Sequence, residues 1–143
     1  MGVELKVKRL HPEAKLPVRK REGDAGLDLY AVEDVVLKPG GWTAVPTGIA
    51  VEIPKGYFGL IKDRSGLALK YALHCLAGVV DENYRGELKV VLINLGPQEV
   101  RIEKGTRIAQ LLVIPYLPVE VKEVEELSDT ERGEKGFGSS GLV

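Results

Sequence analysis

The chain has little of what marks a disulfide-built, metal-caged or membrane-spanning protein. Its single cysteine, Cys75, excludes an internal disulfide. Two histidines, His11 and His74, stand at no spacing to that cysteine that a structural zinc site would need. No amino-terminal apolar run resembles a signal peptide, and no apolar stretch is long enough for a bilayer span. Neither sign of charge dominates. The 20 basic and 21 acidic side chains are interspersed, so no basic face suits a nucleic-acid polymer, although a small charged ligand stays open. These absences read as a soluble, reduced, cytoplasmic protein with no membrane or nucleic-acid partner. At 143 residues the chain fits one domain, of a size at which all-β folds often gain stability by oligomerising.

What is present reads as β-structure. Residues 3–8 and 119–122 alternate apolar and charged side chains with the period of a half-buried strand. Residues 31–37, 49–53, 87–93 and 108–115 form short runs rich in Val and Ile, separated by Gly or Pro. That spacing predicts an all-β sandwich or barrel. Residues 66–73 break the rhythm with good helix formers, and Ser65 is placed to cap them, so one short helix is expected there. From about Leu127 the chain turns polar and glycine-rich. Such a tail has too little apolar surface to pack alone and is expected to stay flexible until something binds it.

Four segments carry chemistry, and each has an ordinary structural reading beside it. Arg64-Ser65-Gly66 precedes the predicted helix, where free N–H groups and the dipole favour an anion; an N-cap beside a surface arginine has the same pattern. Residues 78–86 read as a tight hairpin or loop between strands. Asp81 in it is able to take a proton from water if partial burial lifts its pKa, yet turn aspartates also serve only to satisfy loop N–H groups. Arg107 and Gln110 are polar intrusions in a strand, suited equally to ligand contact and to structural pairing. In the tail, Phe137 has no local core to fill. With Arg132 it suits a segment that folds over a nucleotide, ring on base and guanidinium on phosphate; a frayed terminus looks alike.

Taken in order, the segments resemble the five motifs of trimeric dUTPases: DAGLDLY at 24–30, DRSGLA at 63–68, GVVDENYRG at 78–86, KGTRIAQL at 104–111 and RGEKGFGSSG at 132–141. PTGIAVEIP at 46–54 is similar to the family's strand between the first two motifs. The resemblance implies a distorted jelly-roll or β-clip barrel with one short helix, a core over residues 1–127 and a flexible arm over 128–143 that closes on the site. It implies a homotrimer with shared active sites, and hydrolysis of dUTP to dUMP and pyrophosphate, which supplies dUMP for thymidylate synthesis and keeps uracil out of DNA. Asp81 would activate the attacking water, and Tyr84 would pack on deoxyribose where a 2′-hydroxyl clashes. Arg64, Ser65, Gly66 and Gln110 would hold phosphates, Phe137 would stack on uracil, and Arg132 would reach the γ-phosphate. Asp28 would support the metal and water network, with Mg²⁺ held by triphosphate oxygens and waters rather than by direct protein ligands.

Three departures from the family pattern matter. Some members carry an asparagine six residues before the catalytic aspartate; Cys75 stands there, which leaves uracil recognition to backbone groups on a hairpin around residues 76–84. Gly66 replaces a common second serine, losing a hydroxyl but keeping the N–H. Glu82 and Asn83 lie where the family varies and are expected to carry little weight. The related dCTP deaminases use a glutamate ten residues beyond the corresponding aspartate, where this chain has Val91, so deamination lacks a proton-transfer agent. A deoxynucleotide-sensing module without turnover is the other rival, and the intact Asp81 and tail argue against it.

Overall fold

The computed structural model describes residues 2–141. Ten strands and one helix follow in chain order: β1 (Lys6–Arg9), β2 (Leu27–Tyr30), β3 (Val35–Leu37), β4 (Trp42–Glu52), β5 (Tyr57–Lys62), α1 (Ser65–Tyr71), β6 (Leu73–Leu76), β7 (Val79–Val80), β8 (Glu87–Asn94), β9 (Val100–Ile102) and β10 (Arg107–Pro115). The strands form two four-stranded antiparallel sheets, ordered β1-β4-β8-β6 and β2-β10-β5-β7, and a small β3-β9 ribbon. This is the expected all-β, jelly-roll-like class, with two sheets that stay separate rather than closing into one barrel.

The core lies between the sheets. Val45, Ile49 and Val51 of β4 and Leu88, Val90 and Leu92 of β8 meet Leu29 of β2, Ile61 of β5 and Ile108 and Leu111 of β10 in one cluster. Alternation along β8 explains its share, since Leu88, Val90, Leu92 and Asn94 all point inward. Each fully buried aliphatic side chain contributes roughly 1.5–3 kcal/mol. The two fully buried polar side chains are both satisfied. Thr47 donates its hydroxyl to Leu88 O (2.6 Å), and Asn94 donates to Leu37 O and Gln98 O (3.0 and 2.7 Å).

Three sequence expectations need correction. Residues 119–122 form no strand: β10 ends at Pro115, Pro118 lacks an N–H to donate, and no neighbouring strand offers a ladder, so Val119 and Val121 stay exposed. The helix runs from Ser65 to Tyr71, starting one residue earlier and ending two earlier than the 66–73 pattern. Arg64 takes the N-cap position without a side-chain bond, so Ser65 is the first helical residue and not the cap. Ala72 ends the helix in the left-handed region (φ 55°), and Leu73 then enters the core. Finally, residues 76–84 form no hairpin, and residues 78–86 take the other form open to them, β7 followed by a loop that leads to β8. β6 pairs with β8 in one sheet and β7 with β5 in the other, so the chain changes sheets at Ala77-Gly78, both with positive φ. Gly78 is required there, because a Cβ would lie 2.5 Å from Ile61 O.

Among the described residues, no helix is long and apolar enough to cross a membrane. After Pro115 no regular element follows among the described residues.

Candidate active site in two cavities

A polar cleft of about 270 Å³ opens where β2, β10 and the β5–α1 junction meet. Its walls bring together Asp28, Arg64, Ser65 and Gln110, four of the residues singled out in the sequence. Strand register explains part of this, since Gln110 of β10 sits between Asp28 of β2 and Lys62 of β5. Arg107 and Gln110 are three apart and would face opposite sides of a regular strand. A bulge between Arg107 and Ala109 shifts the register by one, so both reach the cleft while Ile108, Ala109 and Leu111 stay buried.

Hydrogen bonds fix these side chains in place. Gln110 Nε2 donates to Asp63 O (2.9 Å), Arg64 Nη1 donates to Arg107 O (3.2 Å), and Arg107 Nη1 lies 3.5 Å from Asp28 Oδ2. Gly26 makes room for Gln110, whose Oε1 would overlap any Cβ at that position. Sequence reasoning missed Lys20, Arg21 and Asp24, which also line the cleft. They lie just outside or at the edge of the first motif, and only the folded loop carries them to the wall. Four cationic side chains there face two carboxylates, Asp24 and Asp28, and those two are held by Arg21 (3.4 Å) and Arg107. Lys20 has no ion-pair partner among the described residues. The excess positive charge suits a polyanion.

Asp63 is a second feature that the sequence did not announce. Its carboxylate accepts the Cys75 N–H (2.6 Å) and meets His74 Nδ1 (2.6 Å), clamping the β5–α1 junction to β6. Burial pushes the Asp63 carboxyl upward, but the bonds from His74 and Cys75 outweigh it and hold the group below the usual aspartate value. Cys75 itself is buried, its thiol pushed up to about 12 by burial and by Asp63 beside it. With its N–H committed to Asp63, it presents neither thiol nor amide outward.

The second cavity, about 310 Å³, lies at the change of sheets and is more apolar. Leu76, Val79, Val80, Leu88 and Val91 line it, with Asp81 and Tyr84 at its wall. Tyr84 is fixed by its hydroxyl, which donates to Glu87 O (2.9 Å), and Gly86 leaves space for the ring. The partial burial expected of Asp81 is absent: on the single chain it is exposed, because it starts a turn closed by Tyr84 N–H on Asp81 O (3.1 Å). Val91 faces this cavity as an apolar wall. The cavity's other carboxylate, Glu87, accepts the Gly48 N–H (2.9 Å).

The two cavities share no lining residue, so one chain keeps Asp81 and Tyr84 apart from Arg64, Ser65 and Gln110. Gly66 is exposed beside the cleft and lines neither cavity. Arg132 and Phe137 stand on the exposed carboxy-terminal segment and also line neither. Arg132 Nε donates to Lys135 O (2.7 Å), and Phe137 is fully exposed with φ 50°.

Comparison with known proteins gives a consistent picture. A family model described as dUTPase matches residues 12–141. The deoxyuridine 5'-triphosphate nucleotidohydrolase of Clostridium kluyveri is 50% identical over 143 residues, covering 99% of this chain and 100% of that protein. Its counterpart in Corynebacterium diphtheriae is 53% identical over 139 residues, 95% of this chain and 91% of that protein. A mutant dUTPase of staphylococcal phage 80alpha has a TM-score of 0.91 at 38% identity, over 98% of this chain and 100% of that one. The 80alpha dUTPase solved with dUpNHpp has a TM-score of 0.88 at 39% identity, over 97% and 99% of the two chains. A mutant dUTPase of Staphylococcus aureus phage phi11, described with a structural Mg(II) ion, has a TM-score of 0.82 at 31% identity, over 87% and 98%.

Proposed function

The chain belongs to the dUTPase family of deoxyuridine 5'-triphosphate nucleotidohydrolases, and from that premise we propose how its residues carry out the hydrolysis of dUTP to dUMP and pyrophosphate. The observation that carries the reading is the split between the two cavities. One has the charge for a triphosphate, and the other has the apolar walls and the carboxylate for a nucleoside and a water. A single dUTP needs both, so the site is assembled from different copies of the chain. A homotrimer with shared sites meets that need.

In this reading Arg64, Ser65, Gly66 and Gln110 hold the phosphates, and Tyr84 packs against deoxyribose, excluding a 2′-hydroxyl. Asp81 accepts a proton from water as the water oxygen bonds to the α-phosphorus. The bond from that phosphorus to its bridging oxygen breaks, and pyrophosphate leaves with the electron pair. The exposed position of Asp81 suits a base that must meet solvent before the site closes. Uracil is read by backbone groups near the change of sheets, since Cys75 is buried.

The residues present fit a magnesium ion that arrives with the substrate. No three His, Cys, Asp or Glu side chains cluster among the described residues, and both cleft carboxylates already meet arginines. Asp28 keeps one oxygen free of Arg107 and is the natural acceptor for waters around a phosphate-held Mg²⁺. When bound, such an ion supplies charge neutralisation for the departing pyrophosphate.

The core over residues 1–127 carries both cavities, and the arm over 128–143, of which 142 and 143 lie outside the described residues, closes the site. Phe137 stacks on uracil and Arg132 meets the γ-phosphate; the full exposure of Phe137 on a segment with only local turns supports this. With a single, unpaired cysteine, the reading is of a cytoplasmic enzyme that supplies dUMP for thymidylate synthesis and keeps uracil out of DNA. The test is pyrophosphate release with Mg²⁺ from dUTP, dCTP, dTTP and UTP, run beside Asp81→Asn. Preference for dUTP and loss of turnover in the variant are expected. Equal use of the four nucleotides, or full turnover by the variant, overturns the reading.

A further inference from the structure

The loop that carries Asp81 is tied to the sheet behind it by a closed ring of three hydrogen bonds. Glu82 Oε1 accepts the Gly56 N–H (3.2 Å) and also the Tyr116 hydroxyl. The Tyr116 N–H in turn donates to Gly56 O (3.1 Å). Gly56 lies in the turn between β4 and β5, with φ +89°, and Tyr116 is the first residue after β10, where the chain leaves the sheet. Glu82 is 26 residues from one partner and 34 from the other, so no local preference assembles the ring. Phe58 braces Tyr116 edge-on, with ring centroids 6.3 Å apart at 75°.

The loop's internal shape has other supports. Arg85 Nη1 donates to Glu82 O (2.7 Å) and Tyr84 O (3.1 Å), and Tyr84 N–H closes the turn onto Asp81 O. Those bonds lie within the loop and leave its placement against the sheet open. Glu82 is the side chain that reaches outward by hydrogen bonds, to the β4–β5 turn and to the end of β10, while Arg85 Nε adds only a longer, exposed ion pair to Glu52 Oε1 of β4 (3.7 Å). Behind it is a third cavity of about 510 Å³, lined by Phe58, Val79, Asp81, Glu82, Asn83 and Tyr116. Asp81 and Val79 are shared by this cavity and the apolar one in front. Asp81 therefore stands on a ridge with open space on both sides, and van der Waals packing alone does not hold it.

We infer that Glu82 is a positioning residue for Asp81: gripped by Tyr116 and Gly56, it fixes the loop so that the Asp81 carboxylate keeps its place at the mouth of the apolar cavity. The inference rests on Asp81 being the base, as proposed above. The Tyr116 hydroxyl, with the Gly56 N–H, holds the Glu82 carboxyl below its usual range, so the acceptor stays ionised at neutral pH. Glu82 thus has a task despite standing at a position expected to carry little weight. Tyr116 supplies its grip from the residue at which the carboxy-terminal segment departs.

The test uses full-length Glu82→Ala, Glu82→Gln, Tyr116→Phe and the double variant Glu82→Ala/Tyr116→Phe, with Asp81→Asn alongside, in steady-state dUTP hydrolysis with Mg²⁺. Misplacing a catalytic group by about 1 Å costs up to roughly a hundredfold, so Glu82→Ala is expected to lower kcat by about tenfold or more while KM stays within about twofold. Glu82→Gln keeps the acceptor oxygen and is expected to recover most of that loss. Tyr116→Phe lowers kcat alone but adds nothing in the double variant, because the ring is already open. An unchanged kcat in Glu82→Ala, or additive losses in the double variant, overturns the inference. So does a loss of kcat matched by a rise in KM and a fall in thermal midpoint, the signature of a merely structural role. Should Glu82→Ala not fold, Tyr116→Phe, a deletion of one exposed hydroxyl, decides alone. Full turnover by Asp81→Asn defeats the base assignment itself; an inactive Asp81→Asn beside an unimpaired Glu82→Ala defeats only the tether.

Discussion

Gln110 reaches across the cleft from β10 and donates its side-chain amide to the main-chain oxygen of Asp63 at 2.9 Å, through a gap that exists because residue 26 has no Cβ. One strand, one junction and one glycine thus define the position of a single amide. Gly26→Ala places a methyl on the Gln110 side chain, a form of overpacking that costs about 1–3 kcal/mol. A lower thermal midpoint and a higher KM for dUTP are expected. Gly26→Ala/Gln110→Ala removes the collision, so the midpoint recovers while KM stays high. Recovery of both would show that Gln110 has no part in binding.

Two inactive variants should rescue each other. If each site takes Asp81 from one chain and Arg64 from another, mixed oligomers of Asp81→Asn and Arg64→Ala contain some sites with both groups intact. Unfolding, mixing and refolding the two variants together is expected to restore a fraction of turnover on the order of the share of unmodified sites expected by random assembly. Mixtures as inactive as their parents would place both groups in one chain's site. Sedimentation of the unmodified protein gives the copy number.

Truncation after Leu127 removes Arg132 and Phe137 and no regular strand. The thermal midpoint should stay within a few degrees, while kcat/KM falls by roughly a hundredfold or more, as for loss of a closing segment. A large fall in midpoint would mean that the segment packs on the core, and unaltered kinetics would remove it from the site.

Acid stability should depend on Asp63. Its folded-state pKa lies below the ordinary 3.8, so the group adds stability that is complete well above that value and is lost as pH falls through the depressed one. Asp63→Asn keeps an acceptor for the Cys75 N–H but has no charge to titrate. The midpoint difference between the unmodified protein and Asp63→Asn is therefore expected to shrink as pH drops below about 4. A constant difference across that window would assign the stabilisation to shape rather than charge.

How much was legible in the sequence differed from element to element. β8 was readable because its alternation is the same pattern that buries Leu88, Val90 and Leu92. Residues 119–122 have similar alternation and form no strand, since a ladder needs a neighbour and the pattern does not say whether one exists. Ser65 looked like a cap by residue type, but the helix begins one residue earlier, and the polar side chain alone does not fix the boundary. Motif order brought out Arg64, Gln110, Asp81 and Tyr84 as site candidates. The resemblance also implied shared sites, but which residues fall in which cavity, the first two apart from the last two, took the fold to see. The Asp63–His74 pair and the Glu82 ring depend on the folded packing of distant segments.

The bulge in β10 turns the cleft's chemistry into a matter of counting. Arg107 and Gln110, three positions apart, share a face because the bulge between Arg107 and Ala109 absorbs one residue. A further residue inserted there, with no second bulge to absorb it, would alter no charge in the sequence, yet it would turn the guanidinium away from Asp28 and empty one wall of the cleft. Along this stretch a homologue's length carries as much information as its letters, and substitutions here are safer for the enzyme than insertions or deletions.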